Sequence, residues 1–198
     1  PFKLTLNGLF QFAVKPKWAL NYLTHEKFSL PQLEEFIDMK GDSVSVGKYF
    51  TEMLDPAMTW DDVARMVEFW DGQFCLKGVM SVEDALKAAE IGCTGIVVSN
   101  HGGRQLDGSR SPFDQLGEIV DAVGDRLDII MDSGIQRGTH ILKALSMGAK
   151  AVGGGRFYLY ALAAAGQGGV ERALELMKLE IERDMRLMGV TRLSDLNR

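Results

Sequence analysis

From Thr59 onward, short apolar runs alternate with helical patterns four times, and this alternation constrains the fold more than any other feature of the chain. The runs lie at residues 74–79, 95–99, 127–131 and 149–152, rich in Val and Ile and roughly 25 residues apart. Each is followed by a helical pattern with its own start signal. Ser81, with Glu83 and Asp84 behind it, caps a helix over residues 82–91. Ser111-Pro112 opens another that runs to about residue 123, a cap with proline at the first position. A third helix, over residues 137–147, stops at Gly148. After the last run a helix follows, then an amphipathic one over residues 170–187, closed by Gly189. Ahead of the first run, Thr59 caps a helix with Asp61 and Asp62 in its first turn. Val63, Met66, Val67 and Trp70 form its apolar face.

Strands alternating with helices make a parallel sheet with right-handed crossovers. Four such units are half of an eight-stranded α/β barrel, which needs about 250 residues. The chain has 198. It is therefore either a small open α/β sheet or one half of a (β/α)8 barrel. A half barrel leaves two parallel edges unpaired, an association hazard.

Residues 1–55 read differently, as an irregular and partly helical excursion. Short helices are expected over residues 4–13, 16–23 and 32–37, and residues 41–47 read as a mobile Gly/Ser-rich loop. Trp18, Tyr22 and Phe28 show no periodic face. Long excursions of this kind often serve as lids or partner surfaces.

The charge balance, −5, argues against a nucleic-acid partner. The two cysteines, Cys75 and Cys93, do not make a disulfide framework, which points to a reducing, cytoplasmic setting. Cys75 lies in an apolar run and reads as buried. No run reaches the ~20 apolar residues of a membrane helix, and the start, Pro1-Phe2-Lys3-Leu4, has no signal-peptide pattern. It also lacks an initiator methionine, so the chain reads as a processed or truncated piece.

The chemistry gathers where the runs end. The second run passes into Ser99-Asn100-His101-Gly102-Gly103-Arg104-Gln105-Leu106-Asp107-Gly108. Polar side chains there sit at the carboxyl end of a sheet, where α/β folds keep their sites. His101 can move a proton near neutral pH. Arg104 can hold a carboxylate through two parallel hydrogen bonds. A base beside a carboxylate clamp suits a small 2-hydroxy or 2-oxo acid. The plainer alternative is a structural histidine followed by a Gly-Gly turn.

Lys77 interrupts an otherwise apolar run. It either neutralises a developing anion in a barrel mouth or snorkels to solvent. The third and fourth runs end in Asp132-Ser133-Gly134-Ile135-Gln136-Arg137-Gly138 and Gly153-Gly154-Gly155-Arg156. Both are glycine-bearing strand-to-helix turns followed by arginine, a pattern that suits a phosphate. Barrels place phosphate sites in the loops after their last two strands. His140 reads as a solvated helix residue, and Met177, Met185 and Met188 as core. No His/Cys/carboxylate cluster has metal-ligand spacing.

Leu76-Lys77-Gly78-Val79, the run from Ser99 to Asp107, Asp132-Ser133-Gly134 and Gly155-Arg156 together resemble the FMN-dependent 2-hydroxy acid oxidases and dehydrogenases. The resemblance covers essentially the whole chain. Lys15-Pro16-Lys17-Trp18 and the C-terminal region, from Gly168 to Met185, look most like the bacterial L-lactate and mandelate dehydrogenase branch. The resemblance implies a (β/α)8 barrel of which this chain supplies the last four units, with residues 1–55 following barrel strand 4 and residues 56–198 forming the half barrel. It implies FMN as cofactor and oxidation of an L-2-hydroxy acid, L-lactate first, to the 2-oxo acid.

By the same resemblance, His101 is the base, and Arg104 anchors the substrate carboxylate. Lys77 and Ser99 contact the flavin, and Asp132, Ser133, Gly134, Ile135, Gln136, Gly155 and Arg156 hold its ribitol and phosphate. Many members carry Arg where this chain has Gln136, so the phosphate is expected to lean on Arg156 or Arg137. The missing half normally supplies two tyrosines and the Asp that orients the histidine, so the chain alone is expected to be inactive. The electron acceptor is oxygen, a quinone or a cytochrome. The family habit is a homo-oligomer. Peripheral contact with the inner face of the plasma membrane is left open for residues 1–55. Two other readings compete: a non-redox, phosphate-binding barrel enzyme, and an inactive half barrel.

Overall fold

A computed structural model of the chain describes residues 5–25 and 53–197. They belong to two compact units, divided between Met58 and Thr59.

In the first unit, α1 (Leu6–Ala13) is capped by Thr5, whose Oγ1 accepts the Gly8 N–H at 3.1 Å. Helix α2 (Pro16–Thr24) opens on a proline, as the sequence predicts. Neither helix buries a residue. They meet through three rings: Trp18 and Tyr22 stack with centroids 5.5 Å apart, and Phe12 packs edge-on against Trp18 at 5.2 Å. Trp18 and Tyr22 are four apart and share one helix face, a pairing the periodicity reading missed. The helix expected over residues 32–37, the loop over 41–47 and Phe28 lie outside the described residues.

The second unit begins with α3 (Trp60–Trp70). Asp62 Oδ2 accepts both the N–H and the Oγ1–H of Thr59, at 2.7 and 2.8 Å, closing the helix start. Those bonds, joined by Arg65, lower the Asp62 carboxyl to about 2. Only part of the expected apolar face packs inward: Val63 is buried and Val67 touches the core, whereas Met66 and Trp70 are exposed. Trp70 instead folds over the turn into the sheet, its Nε1–H donating to Gln73 O at 3.0 Å.

Strands β1 (Cys75–Val79), β2 (Gly95–Val98), β3 (Asp128–Met131) and β4 (Ala151–Val152) alternate with α4 (Val82–Glu90), α5 (Pro112–Val123), α6 (Gly138–Ser146) and α7 (Arg156–Met188). Ser81 and Ser111 cap α4 and α5 through their hydroxyls, as expected. Helix α7 breaks at Ala165–Gly166, whose dihedrals leave the helical region, and Gly189 ends it at φ 71°. The two expected C-terminal helices are thus the two arms of one bent element.

All strands are parallel, in the order β1-β2-β3-β4. A doubly wound sheet reverses its order midway and carries helices on both faces; this one does neither. Leu76, Ile96 and Ile129 align across the sheet. With Val98 and Met131 they face Ala85, Ala88, Leu116, Ile119 and Val123 in one core. Truncating such a side chain to Ala costs about 2–5 kcal/mol, so this face fixes the helix layer. Lys77, Val97, Ile130 and Ala151 align on the opposite face. No helix covers that face among the described residues. A singly wound parallel sheet with helices on one side is an arc of a (β/α)8 barrel.

Two expectations fail here. Cys75 is exposed, because it lies on the uncovered face rather than against the helices; Cys93 is buried. Among the methionines, Met177 is buried but Met188 is exposed at the end of α7.

Candidate active site

The strands deliver their polar residues to one end of the sheet. Lys77 occupies the uncovered face of β1, two residues before the strand ends. Its Nζ donates to Ser99 Oγ at 2.7 Å and pairs with Asp132 Oδ2 at 2.6 Å. Lys77 is therefore neither a buried unpaired cation nor a freely snorkelling one. Ser99 is 1% exposed and stands behind it. Burial favours the protonated form of Asp132, but hydrogen bonds from Lys77, Ser99 and Ser133 outweigh it and hold the carboxyl below its usual range.

The loops after β2 and β3 are tied together. Ser133 Oγ donates to Asp132 Oδ1 at 2.8 Å and accepts the Gly102 N–H at 2.9 Å. Asn100 Oδ1 accepts from Gly102 N and Gly103 N, which makes a tight turn after His101. The sequence reading quoted Asn100 but gave it no role. His101, at φ 57°, is one of three non-glycine residues with positive φ among the described residues, and Ser133, at φ 74°, is another. Left-handed backbone at such residues costs about 1–2 kcal/mol and persists only where the surroundings fix it. The packing around the ring is close: a Cβ on Gly78 would lie 3.2 Å from His101 Cε1.

The loop after β4 closes the group. Gly155 is the N-cap of α7 and makes no side-chain cap bond. Arg156 Nη2 donates to Gly102 O at 2.6 Å. A Cβ on Gly134, Gly154 or Gly155 would meet nothing within 4 Å. An open glycine turn, an uncapped helix N-terminus and an adjacent guanidinium form a cradle that fits a phosphate.

A cleft of about 260 Å³ unites these parts. Lys77, His101, Arg104, Asp132, Ser133, Gly134, Ile135, Gln136, Gly155 and Arg156 all line it. Of the residues expected at the site, Ser99 and Arg137 do not line it. Gln105, Phe157 and Leu159 are further lining residues that the sequence reading left out. A larger cleft of about 450 Å³ shares Gly102, Ser133, Gly134, Ile135 and Arg156 with it.

Two expectations need correction. Arg137 does not turn to the cleft: it pairs with Glu180 of α7, its Nε donating to Oε1 at 2.7 Å. Of Arg137 and Arg156, Arg156 is the one that lines the cleft. His140 is half-buried rather than solvated. Its Nδ1 lies 3.2 Å from Gly134 O and 3.3 Å from Gln136 N, against the candidate phosphate loop. It sits one helical turn beyond that loop, the signal that places it there.

The family model described as FMN-dependent dehydrogenase matches residues 1–198. The chain is 44% identical over 160 residues to L-lactate dehydrogenase (cytochrome) of Saccharomyces cerevisiae, covering 78% of this chain and 27% of that protein. It is 38% identical over 194 residues to an L-lactate dehydrogenase of Chromohalobacter salexigens, covering 96% and 49%. Among solved structures, the monotopic membrane protein (S)-mandelate dehydrogenase matches all of the chain and 52% of its own, with TM-score 0.89 and 31% identity. The flavin-binding domain of baker's yeast flavocytochrome b2 matches 73% of the chain and 38% of its own, with TM-score 0.70 and 46% identity. The chain thus spans at most about half the length of these relatives. From the family match and the identities, the chain belongs to the FMN-dependent dehydrogenases that act on α-hydroxy acids.

Proposed function

We propose that the protein to which these residues belong oxidises an L-2-hydroxy acid, L-lactate first, to the 2-oxo acid. The observation that carries this reading is the cleft that brings a base, a carboxylate clamp and a phosphate cradle to one end of the sheet. Oxidation of the alcohol removes two electrons and two protons; bound FMN supplies the acceptor for both electrons and one proton, and the other proton goes to His101. Gly134, Ile135, Gln136, Gly155 and Arg156 hold its phosphate, and Asp132 and Ser133 its ribitol. Lys77, with Ser99 behind it, offsets the negative charge that collects on reduction.

Arg104 grips the substrate carboxylate with two parallel hydrogen bonds. His101 takes a substrate proton on an imidazole nitrogen. Neither ring nitrogen of His101 has a hydrogen-bond partner among the described residues. The reading places the activity in the completed barrel, with residues 1–198 alone inactive.

An absorption spectrum of the complete protein tests this. A flavin band that bleaches anaerobically with L-lactate is expected, and His101→Gln slows the bleaching about 100-fold or more. A flavin band that no 2-hydroxy acid bleaches overturns the reading. Returning oxygen, a quinone or a cytochrome to the bleached protein identifies its electron acceptor.

A second observation favours membrane contact by the first unit. Leu6 is 88% exposed and Leu23 74%, and Trp18 and Tyr22 are also exposed, with Lys15 and Lys17 at the start of α2. No helix among the described residues is long and apolar enough to cross a membrane. Amphipathic helices with basic flanks lie in the interface instead.

A further inference from the structure

The loop from Asp132 to Arg137 carries five of the cleft-lining residues, and it runs into the N-terminus of α6. That terminus has no cap of its own: Arg137 is the N-cap residue and makes no side-chain cap bond. The cap comes from α7. Glu180 Oε2 accepts the Gly138 N–H at 2.7 Å, and Oε1 accepts from the Arg137 guanidinium. One carboxylate from another helix thus takes both the first orphan amide of α6 and the side chain just before it. The approach is close. A Cβ on Gly138 would lie 2.8 Å from Ile181 N and 3.0 Å from Glu180 Cγ, so only glycine admits this seat. Glu180 is largely buried, its side chain 13% exposed, and the Arg137 and Gly138 bonds lower its carboxyl to about 2.

Two consequences follow. The positive end of α6 is already neutralised, so the helix dipole offered to an incoming phosphate is that of the uncapped start of α7 at Gly155 and Arg156, with the Gly134–Gln136 turn beside it. The downstream end of the Gly134–Gln136 turn is also fixed in place. We propose that Glu180 is a positioning residue for the phosphate of the cofactor: it touches neither cofactor nor substrate, but holds the β3–α6 loop against the cradle. This inference rests on the FMN reading given above.

The test compares FMN with riboflavin, which lacks the phosphate. The apo form of the complete protein is titrated with each, following quenching of flavin fluorescence, in wild type, Glu180→Gln and Glu180→Leu. The Gln variant keeps an oxygen for the Gly138 N–H but sets an amide NH2 against Arg137, so it loses the charge and the ion pair. We expect its FMN Kd to rise about threefold and that of the Leu variant about 30-fold, the scale of losing a charge-assisted bond. Riboflavin Kd stays within twofold in both. Equal losses for FMN and riboflavin, or no loss for either, overturn the inference and leave the FMN reading standing. Failure of the wild type to bind FMN overturns both. If Glu180→Leu does not fold, Glu180→Gln and Arg137→Met, which removes the same ion pair, carry the comparison.

Discussion

Gly102 shows how tightly the candidate site is built at the scale of one residue. Its φ is 72°, and an added Cβ would lie 2.5 Å from Arg156 Nη2. Alanine there pays about 1–2 kcal/mol for left-handed backbone and must displace the guanidinium that bonds Gly102 O. Gly102→Ala is therefore expected to weaken FMN binding about tenfold, by loss of roughly 1.4 kcal/mol at the cradle, while the protein still folds. Fluorescence titration with FMN measures it, and an unchanged Kd would show that Arg156 is not held by this contact. The site was legible in the sequence where its residues are neighbours in the chain. His101 and Arg104 share one loop, and Asp132 to Gln136 another. Glu180 was not legible, because its partners lie 42 and 43 positions away. Cys75 was misread because an apolar run does not say which face of the sheet a helix covers.

At the scale of elements, two helix starts depend on ionised carboxylates. Asp62 closes α3, and Glu180 of α7 closes α6. Both are lowered to about 2, from ordinary values of 3.8 and 4.5. A carboxyl held low in the folded state stabilises fully above its unfolded value and loses that stabilisation as pH falls through its folded one. The melting temperature is therefore expected to be flat from pH 7 to about 5 and to drop between about 4.5 and 2. Glu180→Gln should flatten part of that drop. A melting temperature that declines as steeply in Glu180→Gln as in wild type would show that α6 does not depend on this cap. Element starts were readable because Ser81, Ser111-Pro112 and Thr59 cap locally. The break in α7 was legible as a division into two helices, but it falls at Ala165–Gly166 rather than directly before residue 170.

At the scale of the whole molecule, the two units bury their apolar residues very differently. The second has a core in which Ile96, Leu116 and Ile119 are fully buried. The first places Leu6, Leu9, Phe10, Leu20 and Leu23 on its surface and buries nothing in α1 or α2. Exposed side chains of that size are each worth about 1.5–3 kcal/mol when removed from water. Residues 5–25 carry Lys15 and Lys17 and no acidic residue, so a surface that supplies both hydrocarbon and negative charge satisfies both features at once. The complete protein is accordingly expected to sediment with vesicles of anionic phospholipid. Leu9→Asp and Trp18→Asp should each lower the bound fraction's partition constant about tenfold or more, the scale of one large apolar side chain kept in water. Raising the salt should weaken binding by up to about 30-fold, because two lysines contribute about 1 kcal/mol each. Flavin reduction by L-lactate should stay intact in both variants, since neither position lines the cleft. Wild-type protein that stays in the supernatant, or variants that bind as well as wild type, would instead assign these helices to a protein surface.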